Sequence, residues 1–364
     1  MPPRQRDLNL PSPIAAEDLL PTTRIAGHQK RPSVAIAVCT HGPDLGLLAK
    51  LFTALDRILE CSAVAEVLIV DNGSPHPVAA SAPLLWLQAR HPQVRCVLED
   101  RPGLTQARCR AIRETTADLL IGFDDDNEPA ADYVAQVTAY AAHYPEVGVW
   151  GPGHIAVIFS QEPDPWIQRH RACFQERQLP FAISTVPPPL GAPWVTGTGF
   201  AVRRPVLEAY RLAVERGELA ASDRTGAGLQ SGGDLQIVWQ ALRLGLAQGF
   251  IPDLRCGHLI PPARANLAYI RRLEFGAAAS YVPALLDCFP YEAAGMPGAR
   301  PLALHGLALL IQPLVRLARG RERALEFRMA RARALGHDMG LLATRNPARL
   351  GAYRRLARWS GAYP

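Results

Sequence analysis

The stretch LLIGFDDDNEP, residues 119–129, decides how this chain is read. Apolar residues and one glycine, Leu119 to Phe123, run straight into three consecutive aspartates. A short apolar run bounded by turn residues reads as a buried strand. Adjacent carboxylates raise one another's pKa unless a cation answers them. Carried at the C-terminal tip of a strand, they stand where ligands bind in open α/β sheets. The competing reading is a solvated loop in which Asp126 or Asn127 caps a helix opening at Pro129.

The flanking sequence favours the strand. SVAIAVCT (33–40) is apolar and β-branched, and ends in the turn-like HGPD. A helical pattern from Leu45 to Leu59 leads to the strand AEVLIVDNGSP, with Asp71 at its end. A further helix precedes VRCVLED (94–100), and GLTQARCRAIRETT (103–116) reads as the helix before the acidic strand. Strands alternating with helices imply βαβ crossovers and a parallel sheet. Thr40, Asp71 and Asp124 then share one rim. Beyond Tyr144 the pattern turns to short strands and loops, EVGVWGPGHIAVIF and STVPPPLGAPWVTGTGFAVRR. A helix is expected from Asp234 to Leu244, and a last strand in AQGFIPDLRCGHLIPP. From Leu267 the chain reads as mainly helical, with a boundary near Arg264.

The 364 residues are 48% apolar and 20% charged, the balance of a globular protein of one large domain plus an appendage, or of two domains. The net charge of +6 is unevenly placed. From Pro313 onward twelve arginines face only Glu322, Glu326 and Asp338, a local +9 that leaves the remainder at −3. Lys30 and Lys50 are the only lysines, so the arginine excess is not read as phosphate recognition by itself. Seven scattered cysteines without CxxC spacing argue against zinc ribbons and a disulfide framework, and suit a reducing cytosol.

The opening MPPRQRDLNLPSPIAAEDLLPTT lacks the apolar core of a signal peptide and reads as a Pro-rich arm. No stretch is expected to span a bilayer, which takes roughly 18 to 20 apolar residues. The nearest, PLALHGLALLIQPLV (301–315), is short and carries His305 and Gln312. An apolar helix followed by an Arg-rich one can lie on an anionic membrane surface, or serve as a helical cap or dimer contact.

In their order, VAIAVCTHG, VLIVDNGS, RPGLTQARCRAI, FDDDN, WVTGTGFAVRR, SDRTGAGLQSGGDLQI and CGHLIPPARANLAYIRRLEFG resemble the motifs of the family 2 glycosyltransferases, across residues 33–276. The resemblance implies a GT-A fold, a Rossmann-like α/β domain with a mostly parallel sheet flanked by helices. It would occupy residues 32–265, between an N-terminal arm (1–31) and a helical, Arg-rich region (266–364). On the donor side the resemblance places Thr40, Asp71, Gly103, Arg108, Asp124, Asp125 and Arg264. Asp71 would contact the base, Asp124 the ribose or sugar, and Arg264 would fold over the diphosphate. Asp125 would point elsewhere, toward a backbone group. Asp126 and His258 would bind a metal, and Trp194, Thr196 and Gly197 would line the acceptor side. Asp234 would be the general base.

Each assignment has its chemistry and its alternative. Breaking a sugar–phosphate bond builds negative charge that a carboxylate-held divalent cation can neutralise, and oxygen ligands favour Mg2+ or Mn2+ over zinc. Asp71 could accept from uracil N3–H, which favours a UDP-sugar, or merely cap the turn DNGS. The Arg108 fork suits either phosphate or the acidic cluster. Trp194 is a stacking platform or a packing plug. Inverting transfer to a glycan or lipid-linked acceptor needs a carboxylate to take the hydroxyl proton. Asp234 can do this, or can be an ordinary helix N-cap with Asp223 as the next candidate. The family often has an acidic residue directly before this Asp, where this chain has Gly233.

A nucleotidyltransferase is the first rival, but CTHGPDLG lacks its Gly- and Lys-rich phosphate loop. A non-catalytic nucleotide- or glycan-binding relative is the second. Nucleic acid is not an expected partner, since the Arg-rich tail carries no recognition motif. The expected location is cytoplasmic, on or near the inner face of the cell membrane.

Overall fold

The computed structural model describes residues 31–185, 193–219, 223 and 229–363. The expected N-terminal arm, apart from Arg31, lies outside the described residues. The chain opens as predicted with β1 (Val34–Thr40), α1 (Leu45–Cys61), β2 (Glu66–Asp71), α2 (Ala82–Arg90), β3 (Val94–Leu98), α3 (Leu104–Glu114) and β4 (Leu119–Phe123). Asp44 starts α1 by accepting hydrogen bonds from the Gly46 and Leu47 amides, so HGPD is both the turn and the helix cap. These strands form the sequence β3-β2-β1-β4, parallel throughout. Thr40 lies opposite Asp71, and Val38 opposite Phe123, so the three strand ends do share a rim.

The second half follows as β5 (Asn127–Pro129), α4 (Tyr133–His143), β6 (Val147–Phe159), α5 (Pro165–Arg169), β7 (Arg177–Gln178), β8 (Ala182–Ser184), β9 (Ala201–Arg203), α6 (Arg204–Glu215), α7 (Gly233–Arg243) and β10 (Ala247–Ile260). Here the structure departs from the expected short strands. β6 and β10 are long and run parallel to each other, with the irregular stretch Ile251–Arg255 letting β10 bend. The three-residue β9 joins the halves by pairing antiparallel with both β4 and β6. One sheet results, in the order β3-β2-β1-β4-β9-β6-β10-β5. Its two faces are covered by separate apolar layers, one holding α1, α2 and α4 and the other α3, α6 and α7.

The C-terminal region is helical as expected: α8 (Leu267–Cys288), α9 (Leu302–Arg345) and α10 (Leu350–Trp359). One side of α8 joins the sheet's core through Tyr281, Val282 and Leu285, with Tyr281 edge-on to Trp239 of α7. Non-helical backbone at Gly320 (φ 78°, ψ 178°) breaks α9, and its arms 302–319 and 321–345 fold against each other as a hairpin. His305 on the first arm reaches Asp338 on the second, Nε2 to Oδ2 at 2.8 Å. The first arm corrects the expectation that no segment could cross a bilayer. α9 is long and apolar enough by length and composition, and only 11% of that window is buried.

The second arm approaches α8 through glycines. A Cβ on Gly336 would collide with the Phe275 carbonyl oxygen, and one on Gly340 would sit 2.7 Å from that of Ala279. Backbone cannot swing aside as a side chain can. Gly336→Val is therefore expected to destabilise the fold by about 1–3 kcal/mol. Urea unfolding should show a lower midpoint, and an unchanged midpoint would mean the hairpin is not docked on α8 this way.

Candidate active site

The rim of β1, β2 and β4 opens into a cleft lined by Thr40, His41, Asn72, Gly103, Asp124, Asp125, Asp126 and Arg264, among others. The tight turn after β4 fans the three aspartates apart. The Asn127 side chain accepts from the Asp124 amide at 3.0 Å, and the Asn127 amide bonds back to the Asp124 carbonyl. Asp125 accepts from the Thr40 hydroxyl, a side chain on the neighbouring strand and not the backbone group expected. Burial, and then the Asp126 charge beside it, pushes the Asp125 carboxyl up to about 6.

Asp126 is the most enclosed of the three, 2% exposed. Its Oδ2 is paired with the Arg264 guanidinium and lies 3.6 Å from His258 Nε2. The cation that answers the acidic cluster here is thus Arg264 itself. Backbone pairing explains the convergence: β5 runs antiparallel to the end of β10, with Asn127 opposite His258, and Leu259 donates to the Asp126 carbonyl at 2.8 Å. His258 Nδ1 lies 2.8 Å from the Phe174 carbonyl oxygen, which can only accept, so Nδ1 carries the proton. In the neutral ring the Nε2 lone pair is then directed at Asp126. Burial opposes the imidazolium, but Asp126 outweighs it and the His258 pKa is raised.

This carboxylate–imidazole pair, with the imidazole oriented from behind, suits a divalent cation. Among the described residues no group of three or more His, Cys, Asp or Glu forms a ligand set. The protein would supply two ligands here, an arrangement familiar for Mg2+-type ions that take their remaining oxygens from substrate phosphates and water.

Asp71 departs from the expected role. Its Oδ1 accepts from the Ser74 amide and its Oδ2 from the Val78 amide, both at 2.9 Å, and it is 4% exposed. It organises the turn, and Asn72 faces the cleft instead. Asn72 donates to the carbonyls of Glu99 and Arg101 and accepts from the Gly103 amide at 2.8 Å. Those bonds hold the entrance of α3, where Gly103 adopts φ 116°, a region that favours glycine. The sequence reading passed over Asn72 and His41; their only signal was their place directly after two strand ends.

A second cavity shares Cys39, Leu104 and Asp124 with the cleft and adds Arg108 and Gly197. Gly197, which lines it, donates its amide to Asp234. This aspartate is not the N-cap, which is Gly232 without any side-chain cap bond. Asp234 lies in the first turn of α7, accepting from the Gly197 amide at 3.1 Å and from its own neighbour Leu235 at 2.9 Å. Burial raises its pKa; Arg108 pulls against that shift and Asp223 adds to it.

Arg108, expected on phosphate or on the acidic cluster, takes another partner. Its Nη1 pairs with Asp223 at 2.6 Å, both side chains at most a tenth exposed. The glycine before Asp234 makes this possible. A Cβ on Gly233 would collide with the Asp223 carboxylate and stand 2.8 Å from Arg108 Nη1. Asp223 fills the space that a side chain at 233 would take.

On the loop expected to face the acceptor, Trp194 packs at 6.2 Å on Tyr281 and is half-buried, the arrangement of a packing plug. Thr196 is buried, its hydroxyl without a partner among the described residues. Gly197 admits Arg108, whose Nη2 would lie 2.8 Å from a Cβ there.

Residues 36–211 match the model of Glycosyl transferase family 2. That segment is a family 2 glycosyltransferase domain. It spans the strands that build the cleft, from β1 through the three aspartates and the loop carrying Trp194, and ends within α6. Among solved structures, GalNAc-T7 with UDP, GalNAc and Mn2+ is 15% identical over 70% of this chain, with a TM-score of 0.45. This chain spans about half of that protein, 51%. The mannosyltransferase PcManGT from Pyrobaculum calidifontis, in complex with GDP-Man and Mn2+, is 20% identical over 92% of this chain and 84% of its own, with a TM-score of 0.47. S. aureus TarS 1-349 is 11% identical over 86% and 92%, with a TM-score of 0.40. No curated protein matches the sequence.

Proposed function

We propose that this glycosyltransferase moves a sugar from a nucleotide diphosphate to a hydroxyl of a glycan or lipid-linked acceptor, inverting the anomeric carbon. The observation that carries the reading is the shared wall between the two cavities. Asp124 lines both, with the Asp126–His258 pair beside the cleft and, beside the second cavity, Gly197, whose amide donates to Asp234. A sugar seated at Asp124 would have its diphosphate toward Asp126 and its acceptor toward Asp234.

In the step itself, the acceptor oxygen bonds to the anomeric carbon as the bond to the diphosphate oxygen breaks, and the hydroxyl proton passes to Asp234. A Mg2+ or Mn2+ ion held by Asp126 and His258 would neutralise charge on the departing diphosphate. The opening of α3 at Gly103 and Leu104 lines the cleft, and the N-terminus of a helix favours phosphate. Arg264 stands over the same place. Arg108 and Asp223 act on Asp234, holding a cation beside the base without neutralising it by direct contact.

The turn-capping role of Asp71 removes the residue that favoured uridine, so the base is left to measurement. Thermal shifts with UDP-, GDP- and TDP-sugars, each with and without Mn2+, are the test. One base should stabilise the protein, and only with the metal, since a ligand specific to the folded state raises its stability. No shift with any of them would remove the donor assignment.

A further inference from the structure

Outside the cleft, α8, the two arms of the hairpin and the C-terminal turn border a further small, open hollow. Arg271 from α8 and Arg328 and Arg331 from the second arm line it, with Gln312 from the first arm and Ser360. No carboxylate is among its lining residues. The Nε atoms of Arg271 and Arg331 are buried without a hydrogen-bond partner among the described residues. Burial, and then the charge of Arg328, pushes the Arg271 pKa down. A buried Nε–H without an acceptor is costly, and such atoms call for an explanation.

The outer face of the first arm supplies an independent observation. Leu304, Leu307, Leu310, Leu314 and Leu317 stand exposed along it, Leu310 at 70% and Leu317 at 84%. Arg316 and Arg319 continue the same arm, exposed, to the hairpin tip. Water is a poor partner for such a face, and a single exposed apolar patch of this kind marks an interaction surface.

We infer that the hairpin docks on an anionic phospholipid bilayer, its leucine face entering the interface and the arginine hollow receiving a lipid phosphate. An apolar stripe beside clustered arginine matches the two layers of such a surface, acyl chains and charged headgroups. The hollow opens beside Leu309 and Gln312, on the arm that carries the leucines. A second copy of this chain would cover the leucines but would leave the hollow, with three like charges, unanswered.

Vesicle flotation of the full chain tests this. Vesicles of phosphatidylcholine alone are compared with vesicles also holding phosphatidylglycerol, at low and high salt. The protein should float with the anionic vesicles only, and less at high salt, because ions screen the attraction. Arg271→Gln with Arg331→Gln, and separately Leu310→Ser with Leu317→Ser, should each weaken binding by roughly tenfold or more. The leucine pair is exposed and leaves the fold intact, so it serves if the arginine pair unfolds. Inorganic phosphate should raise the melting temperature of the parent protein but not of the arginine variant. Stabilisation by phosphate without flotation would make the hollow a free-phosphate site and overturn the membrane assignment. A dimer that the leucine variant dissolves, with no flotation, would overturn it in favour of a second copy.

Discussion

Asp234→Asn is expected to lower sugar transfer by on the order of a hundredfold or more, with donor and metal affinities near those of the parent protein. The amide keeps the shape and can still accept from the Gly197 amide, but it cannot take a proton. An Asn at a helix cap is about as good as an Asp, so a purely structural Asp234 would make the change nearly silent. The structure already places the cap at Gly232. A pH profile adds a second readout. Burial raises the Asp234 pKa, so the carboxyl stays protonated, and unable to act, to a higher pH than an ordinary aspartate. Transfer should therefore rise with pH through that raised pKa, and Asp234→Asn should flatten this limb. Normal transfer by the variant would send the search for the base to Asp223.

Asp126→Ala should abolish metal-dependent binding of the nucleotide diphosphate while the protein stays folded. Titration calorimetry with Mn2+ present would read this directly. At a hundredfold excess over Kd, the parent protein should gain about 2.7 kcal/mol of stability from the nucleotide, and the variant none of the metal-dependent part. Unchanged metal-dependent affinity would remove Asp126 from the site. The substitution also deprives Arg264 and His258 of their shared carboxylate.

The parallel half of the sheet was legible because each apolar run ends at a turn signal, and the three aspartates followed from the same pattern. Asp71 was not legible in the same way. An amide of a tight turn and an N–H of a base make the same demand on a carboxylate, and only the positions of Ser74 and Val78 choose between them. Asp223 was named only as an alternative base, and its seat against Gly233 and Arg108 escaped because it is one of vacated volume, which no local pattern encodes. β9 is too short to show alternation, yet its pairing on both sides joins the two halves of the sheet. The first arm of α9 was underrated by counting an unbroken apolar run, since His305 finds its partner on the second arm and a lone Gln does not stop a helix from being apolar.

The antiparallel rungs between β5 and β10 have a further effect. Asp126 stands in the turn directly before β5 and His258 on β10, and main-chain hydrogen bonds, Asn127 opposite His258 and Leu259 to the Asp126 carbonyl, fix the separation of their backbones. A backbone gauged in this way needs no rearrangement to bring the two side chains together. Little of the association energy then goes into ordering the protein, and more is left to appear as affinity.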